Sequence, residues 1–383
     1  MNENSQARNA VLAAVESHRF RRYDEYRHHI RALADLAGVD DAIAWWVGQA
    51  LDAAWMRGWQ PADVARALRR RLSAQHTAPL MDAVVNNAER RPEMQTDDRW
   101  ASQVDALRTE AHTPWPSIAF AIVTLSGLID LPPLPRLAAG RRAGRGPSPM
   151  LEKVRALLAK AESTTFPEEA DALTAKAHEL TARYSIDQAM LQAETSSAPS
   201  EVVGWRIGIE DPYAHPKALL LSRVARPSGC RAVWDKDLAF STVFGSRTDL
   251  EVVEVLFTSL LVQATEAMMR AGSVADNDGR SRTRSFRQSF LVAYAKRIGE
   301  RLADTTAAVV AESTERHGRN LLPVLARRDE AVDDAIHAAF PHATPHRASV
   351  SNRDGWLAGR AAAEMASLSV GQELSATVAA RAP

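Results

Sequence analysis

The chain has 383 residues, 46% hydrophobic and 25% charged, and its 47 basic and 47 acidic residues cancel to a formal net charge of zero. This composition is that of an ordinary globular protein with room for two or three domains. Any argument for nucleic-acid binding must therefore rest on local clusters of charge. The only cysteine, Cys230, excludes a disulfide framework and a cysteine-based metal site within one chain.

The hydropathy pattern indicates neither a signal peptide nor a membrane span. The first twenty residues are polar and contain no apolar segment after a basic start. The most apolar run, residues 115–134, is interrupted by prolines and by Asp130, which favours a buried helix over a membrane-spanning one. We therefore expect a cytoplasmic protein with no membrane partner.

Residues 1–130 are predicted to form a wholly helical domain. One helix is expected from about residue 9 to 37, another from 41 to 57, and a third from Pro61. Tryptophans crowd this region and are most simply anchors of a core or an interface. Residues 41–72 could therefore bind a protein partner. The tryptophans concerned are Trp45, Trp46, Trp55 and Trp59.

Residues 131–147 are predicted to be a linker rich in Pro, Gly and Arg, and this is the clearest domain boundary in the chain. Its arginines include Arg141, Arg142 and Arg145, and the segment contains no acidic residue. A basic linker can bind phosphate backbones without sequence preference, or it can be only a soluble spacer.

Residues 148–191 are predicted to be a tight hairpin of two antiparallel helices. Ser148 is a suitable N-cap with Pro149 at the first helical position, and residues 165–168 fit a capping box for the second helix. Apolar residues recur every three or four positions in both helices. Three of the chain's six lysines, Lys153, Lys160 and Lys176, fall in this hairpin and could contact phosphates on one surface.

The remainder is predicted to be a short linker at 192–200, an α+β module at 201–368 with long C-terminal helices, and a tail at 369–383. Within the module the order is β-α-β-β-α, with strands near 202–209, 230–234 and 240–244 and a long helix that Thr248 is expected to cap, with Glu251 three residues on. The predicted fold class is therefore α+β, predominantly α.

The hairpin segment KVRALLAKAESTTFPEEADALTAKAHELTARYSID, residues 153–187, resembles the bacterial and phage family catalogued as domain of unknown function 2786. Residues 243–257, 285–302 and 355–368 resemble the module that usually follows it. The resemblance implies an architecture. Because the family has no established activity, it assigns no catalytic residue.

Searching the sequence for chemistry gives no HExxH, Walker A, GxSxG or Rossmann glycine pattern. The candidate metal cluster is His337, His342 and His346, but a zinc site needs three or four converging ligands, and scattered surface histidines explain these residues better. We expect no metal and no cofactor.

The strongest ligand-type pattern is Ser246, Arg247 and Thr248, where a strand leads into a long helix. Free backbone N–H groups, hydroxyls and a guanidinium would converge there, which predicts an anion or phosphate site. The alternative is an ordinary capped helix start.

A basic run follows at Arg280, Arg282, Arg284 and Arg287, largely in a predicted loop, and it is flanked by Lys296, Arg297 and Arg301 on the helix predicted from Ser285. If these residues and the linker arginines lie on one face, they would form a surface for an anionic partner. The favoured hypothesis is a non-enzymatic protein that binds nucleic acid through phosphate contacts. The alternatives are a protein-interaction module built on residues 41–72 and an enzyme of unrecognised type with the anion site near Ser246.

Overall fold

A computed structural model describes residues 3–94, 98–108, 113–135, 137, 149–163, 167–195, 201–271, 282–317, 321–343 and 352–364. The chain divides into two compact units, Met1–Arg141 and Arg142–Pro383. The division falls inside the segment predicted to be a linker.

Unit 1 is helical in its described part. Its α-helices are α1 (Glu3–Arg19), α2 (Tyr23–Ala34), α3 (Val39–Met56), α4 (Pro61–Arg71), α5 (Thr77–Glu89), α6 (Asp98–Leu107) and α7 (Ile118–Ile129). The single helix predicted from 9 to 37 is wrong, because the chain turns between α1 and α2. Arg21 adopts a left-handed conformation there, with φ of 56°, and this reversal lets the two helices pack against each other.

The tryptophans of unit 1 mainly stabilise its core. Trp55 is 5% exposed and Trp59 is 1% exposed. The Trp55 indole donates to Asn87 Oδ1 at 2.6 Å, and the Trp59 indole donates to the Pro132 carbonyl at 2.7 Å. Trp45 is partly exposed, with the Arg8 guanidinium 4.1 Å from its ring centroid.

Unit 2 combines long helices with a small antiparallel sheet, which confirms the predicted fold class. Its strands are β1 (Val203–Gly208), β2 (Arg231–Asp235) and β3 (Phe240–Gly245), and its α-helices are α8 (Pro149–Ser163), α9 (Pro167–Thr195), α10 (Ala214–Ala225), α11 (Arg247–Arg270), α12 (Thr283–His317), α13 (Leu321–Ala339) and α14 (Arg353–Glu364). The sheet order is β1-β3-β2, with Trp205 opposite Val243 and Ala232 opposite the same Val243.

The predicted hairpin consists of α8 and α9, and it is not a separate body. Leu151, Val154 and Leu158 of α8 lie in one buried cluster with sheet residues such as Val243 and with residues of α11 and α12 such as Leu256. Helix α9 also continues to Thr195, into the segment 192–200 predicted to be a linker. The hairpin therefore forms one wall of the α+β core.

Among the described residues, α11 is long and apolar enough to cross a membrane. Leu250, Val253, Leu256 and Leu260 of this helix are completely buried in the core of unit 2. Burial of this kind is expected for a central helix of a folded domain. The length and composition of α11 are therefore weak grounds for a membrane span.

Candidate functional site

The predicted anion site at residues 246–248 is the capped start of α11. Ser246 Oγ accepts from the backbone N–H of Asp249 at 3.2 Å and donates to Asp249 Oδ2 at 2.7 Å. Arg247 Nε lies 3.6 Å from Glu251 Oε1, and Thr248 is half-buried. The carboxylates of Asp249 and Glu251 therefore lie in this helical turn. An ordinary capped helix start, the alternative to an anion site, accounts for this geometry.

The hairpin lysines are exposed, and Lys176 is engaged in an ion pair. Lys153 and Lys160 lie seven residues apart on α8, so they project from the same side of that helix. Lys176 Nζ on α9 lies 3.1 Å from Glu179 Oε2. The hairpin therefore presents its cations singly, diluted by neighbouring carboxylates.

Helices α12 and α14 run side by side in the same direction. Their close approach needs glycine, because a Cβ at Gly355 or Gly359 would collide with the carbonyl oxygen of Phe286 or Phe290. Further along, Arg297 Nε lies 2.5 Å from Glu364 Oε1. The contacts advance together along both helices, so the two N-termini lie at the same end.

Asn352 fixes the start of α14 against α12. Its backbone N–H donates to Ser289 Oγ at 3.0 Å, and its Oδ1 accepts from the N–H of Gly355 at 2.8 Å. Asn352 is 9% exposed and Ser289 is 1% exposed. The N-cap of one helix is thereby hydrogen-bonded to the first turns of the other.

Four arginines surround these paired helix starts, and we call them the basic end. Arg282, Arg284 and Arg353 are exposed, and Arg287 is half-buried. Arg284, Arg287 and Arg353 form no ion pair within the described part of the chain. The basic end is defined as Arg282, Arg284, Arg287 and Arg353.

Of the other predicted phosphate contacts, Lys176 lies away from the basic end. Arg280, Arg141, Arg142 and Arg145 lie outside the described residues. His178, two residues after Lys176, contacts Thr306. Arg284 precedes Thr306 by about 33 Å along α12, at about 1.5 Å of rise per residue. The structure therefore does not bring Lys176 to these arginines.

The cations further along α12 hold α14 in place. Lys296 Nζ lies 5.0 Å from the ring centroid of Trp356. Arg297 pairs with Glu364 and also with Glu300 at 3.1 Å. Arg301 donates to the Glu364 carbonyl at 3.1 Å. These residues, predicted to extend the basic surface, instead contribute to packing between helices.

No group of three or more metal-binding side chains occurs among the residues that the structure describes. His337 is exposed on α13 and His342 is exposed just beyond it, whereas His346 lies outside the described residues.

His178 on α9 is a buried histidine to which the sequence analysis gave no role. It is 1% exposed, and its Nε2 lies 3.2 Å from the Leu302 carbonyl oxygen and 3.1 Å from Thr306 Oγ1. A carbonyl can only accept, so Nε2 carries the proton, and Nδ1 is an acceptor with no partner. Burial lowers the pKa of His178 from 6.5 to about 4.

Comparison with known proteins identifies the hairpin. Residues 150–188 match the family described as Protein of unknown function (DUF2786), which confirms the resemblance predicted for the hairpin. The match covers α8 and most of α9. No curated protein and no solved structure matches the chain. The resemblance predicted for the segments after the hairpin stays a prediction.

Two important positions were missed from sequence. Arg353 is 69 residues from Arg284, and only the parallel packing of α12 on α14 brings them to one end. The spacing Gly355-x-x-x-Gly359 is a signal that could have found this contact, since small residues four apart allow helices to approach closely. Arg328 on α13 also gave no signal in its surrounding sequence.

Proposed function

We propose that unit 2 binds nucleic acid through phosphate contacts, with the basic end as its principal contact surface. The observation that carries this proposal is the pair of parallel helix starts bordered by four arginines. Backbone N–H groups at a helix start and arginine side chains are both common ligands of nucleic-acid phosphates.

The electrostatics of the basic end favour an anion. Each helix start carries a partial positive charge of about half an elementary charge, and parallel neighbours place two of these together. The four arginines add to this potential, and Asp354 in the first turn of α14 offsets part of it. An anion at this end would relieve the repulsion between like charges.

The aromatic residues near the basic end are not available for base stacking. Phe286 and Phe290 are 4% and 1% exposed in the core, and Trp356 is covered on one face by Lys296. Recognition of single strands usually relies on exposed aromatic platforms. We therefore expect binding to the backbone of a duplex with little sequence preference.

The test is a titration of the full-length protein against fluorescent duplexes of unrelated sequence, in both DNA and RNA, over a range of salt concentrations. Changing Arg282, Arg284 and Arg353 to Ala should weaken binding to all sequences alike. Three lost phosphate contacts on DNA would flatten the logarithmic salt slope by about 2.7. Between about 50 and about 200 mM salt, the variant should therefore lose roughly 40-fold less affinity than the parent protein loses.

A matched control removes three exposed cations elsewhere in unit 2, namely Lys236, Arg316 and Arg327. This triple alanine variant should keep the affinity and the slope of the parent protein. Changing Lys153 and Lys160 to Ala tests separately whether the hairpin contributes phosphate contacts.

Absence of binding at about 50 mM salt, where backbone contacts are strongest, would refute the proposal. Equal losses in the Arg282/Arg284/Arg353 variant and in the control would also refute it, because they would indicate only a response to total charge. Either result would favour the protein-interaction alternative. Crosslinking in cells, followed by identification of both bound proteins and bound nucleic acid, would then identify the partner.

A further inference from the structure

Unit 2 contains a cavity of about 290 Å³, lined by apolar, hydroxyl and charged side chains, away from the basic end. Its walls come from the second half of α9, the short 3₁₀ helix Arg226–Ser228, the start of α11, the later part of α12, and α13. Pockets that bind small organic molecules measure about 300 to 1,000 Å³, so this cavity suits a ligand at the small end of that range.

The hydroxyl groups in the wall are oriented as hydrogen-bond acceptors. Thr181 Oγ1 donates to the Ala177 carbonyl at 2.8 Å, Ser228 Oγ to the Val224 carbonyl at 3.2 Å, and Thr306 Oγ1 to the Pro227 carbonyl at 3.3 Å. Each hydroxyl proton is therefore committed to the backbone. The hydroxyl oxygens can still accept from a ligand that carries N–H or O–H groups.

Arg328 supplies a partly used set of donors to the same cavity. Its Nη1 donates to Ser185 Oγ at 2.7 Å and lies 3.8 Å from Asp249 Oδ2. Its Nε is buried with no hydrogen-bond partner. A Cβ at Gly229 would collide with the guanidinium, so the backbone there is shaped around this side chain.

The charges that line the cavity are balanced. Arg328 and Arg226 face Asp249 and Asp329, and Asp329 Oδ2 lies 3.4 Å from Arg231. His178 also lines the cavity, and it is neutral near pH 7 because burial holds its pKa at about 4. A simple anion would meet the carboxylates and a simple cation would meet the guanidinium groups.

We infer that this cavity binds a small zwitterion of the size of an α-amino acid, with its carboxylate toward Arg226 and Arg328 and its ammonium group toward Asp249 and the hydroxyl acceptors. Such a ligand satisfies both signs of charge and uses the remaining acceptor capacity of the Thr181 and Thr306 hydroxyl oxygens. The inference is independent of nucleic-acid binding.

The test measures thermal stability of the full-length protein with each of the common α-amino acids at millimolar concentration, followed by calorimetric titration. At least one amino acid should raise the Tm, because a ligand that binds only the folded state stabilises it. The corresponding amine without a carboxylate and the corresponding acid without an ammonium group should have no effect.

Variants at the mouth of the cavity connect the effect to this site. Ala307 lines the cavity and is exposed, whereas Ala308 is exposed but does not line it. Ala307→Phe should weaken the affinity at least about tenfold, since it fills space that the ligand needs, and Ala308→Phe should leave the affinity unchanged. Arg226→Ala should weaken binding, with Arg223→Ala in the last turn of α10 as its control.

Three results would overturn the inference. One is a panel in which no amino acid changes the Tm. Another is an equal shift with acetate or inorganic phosphate, which would mean a plain anion site. The third is equal affinity in the Ala307→Phe and Ala308→Phe variants, which would locate the binding elsewhere.

Discussion

His178 should make unit 2 lose stability in mild acid. Burial lowers its pKa from 6.5 to about 4. The unfolded chain therefore takes up a proton below pH 6.5, and the folded chain takes one up only near pH 4. The contribution of neutral His178 to stability is complete above pH 6.5 and is lost as the pH falls toward 4.

The two pKa values fix the size of this effect. A difference of one pKa unit corresponds to about 1.4 kcal/mol, so the whole contribution is roughly 3 kcal/mol. Between pH 7 and pH 5 the free energy of unfolding should fall by about 2 kcal/mol. His178→Gln removes the titrating group, and its amide can still donate toward the Leu302 carbonyl. From pH 7 to pH 5, the free energy of unfolding of the variant should therefore fall by about 2 kcal/mol less than that of the parent protein.

Cys230 provides an assay that reports on unit 2 alone. It is the only cysteine in the chain, it is completely buried in the core of unit 2, and burial raises the pKa of its thiol. A pulse of a pyridyl disulfide, which stays reactive in mild acid, labels this thiol only in molecules whose unit 2 is unfolded. Urea titrations read in this way give the free energy of unfolding at each pH. Parallel pH profiles for the parent protein and His178→Gln would refute the reasoning.

Three further predictions concern packing and the boundary between the units. Leu151→Ala should destabilise unit 2 by about 3 kcal/mol in the labelling assay, because it empties part of the shared core, and Leu191→Ala, at a position 52% exposed, should have little effect. Gly359→Ala should separate α14 from α12 and speed trypsin cleavage after Arg360, whereas Ala361→Ser should leave that rate unchanged. Limited trypsin digestion should cut at Arg141, Arg142 or Arg145 before any site in 151–184, and protection there would contradict an exposed boundary.

Periodicity predicted the elements of unit 2 well, because each helix or strand presents one face to a core. The hairpin helices and the β-α-β-β-α order follow from apolar spacing and cap residues that act over a few positions. The break between α1 and α2 was missed because apolar spacing and cap residues report only on a few neighbouring positions. Arg21 is not a residue that usually marks a left-handed turn, although backbone hydrogen bonds from Arg21 N–H to the His18 carbonyl and from Arg22 N–H to the Ser17 carbonyl close the helix there.

The candidate sites could be predicted only in part, since charge becomes a site through tertiary placement. Thr248 was expected to cap the long helix, but the N-cap of α11 is Ser246, two residues earlier, and the orientation of Asp249 toward it needs coordinates. Arginines 282, 284 and 287 were recognised as a cluster, whereas their companion Arg353 comes from a helix distant in sequence. Arg297 and Arg301 were predicted to extend this cluster. They instead pack against α14, because Glu364 lies opposite them.

The distribution of ion pairs explains why a chain with no net charge can still attract an anion. Arg183 pairs with Glu179 and Glu312, and Arg231 pairs with Asp329 and Asp333, so much of the basic surface of unit 2 is neutralised where it stands. Exposed pairs of this kind add little stability, but they remove the long-range field of both partners. The potential that remains comes from cations without such partners, and Arg284, Arg287 and Arg353 lie together beside two helix starts. Because salt screens isolated charges within about 10 Å, an attractive field needs this clustering and not a surplus of arginine over the whole chain.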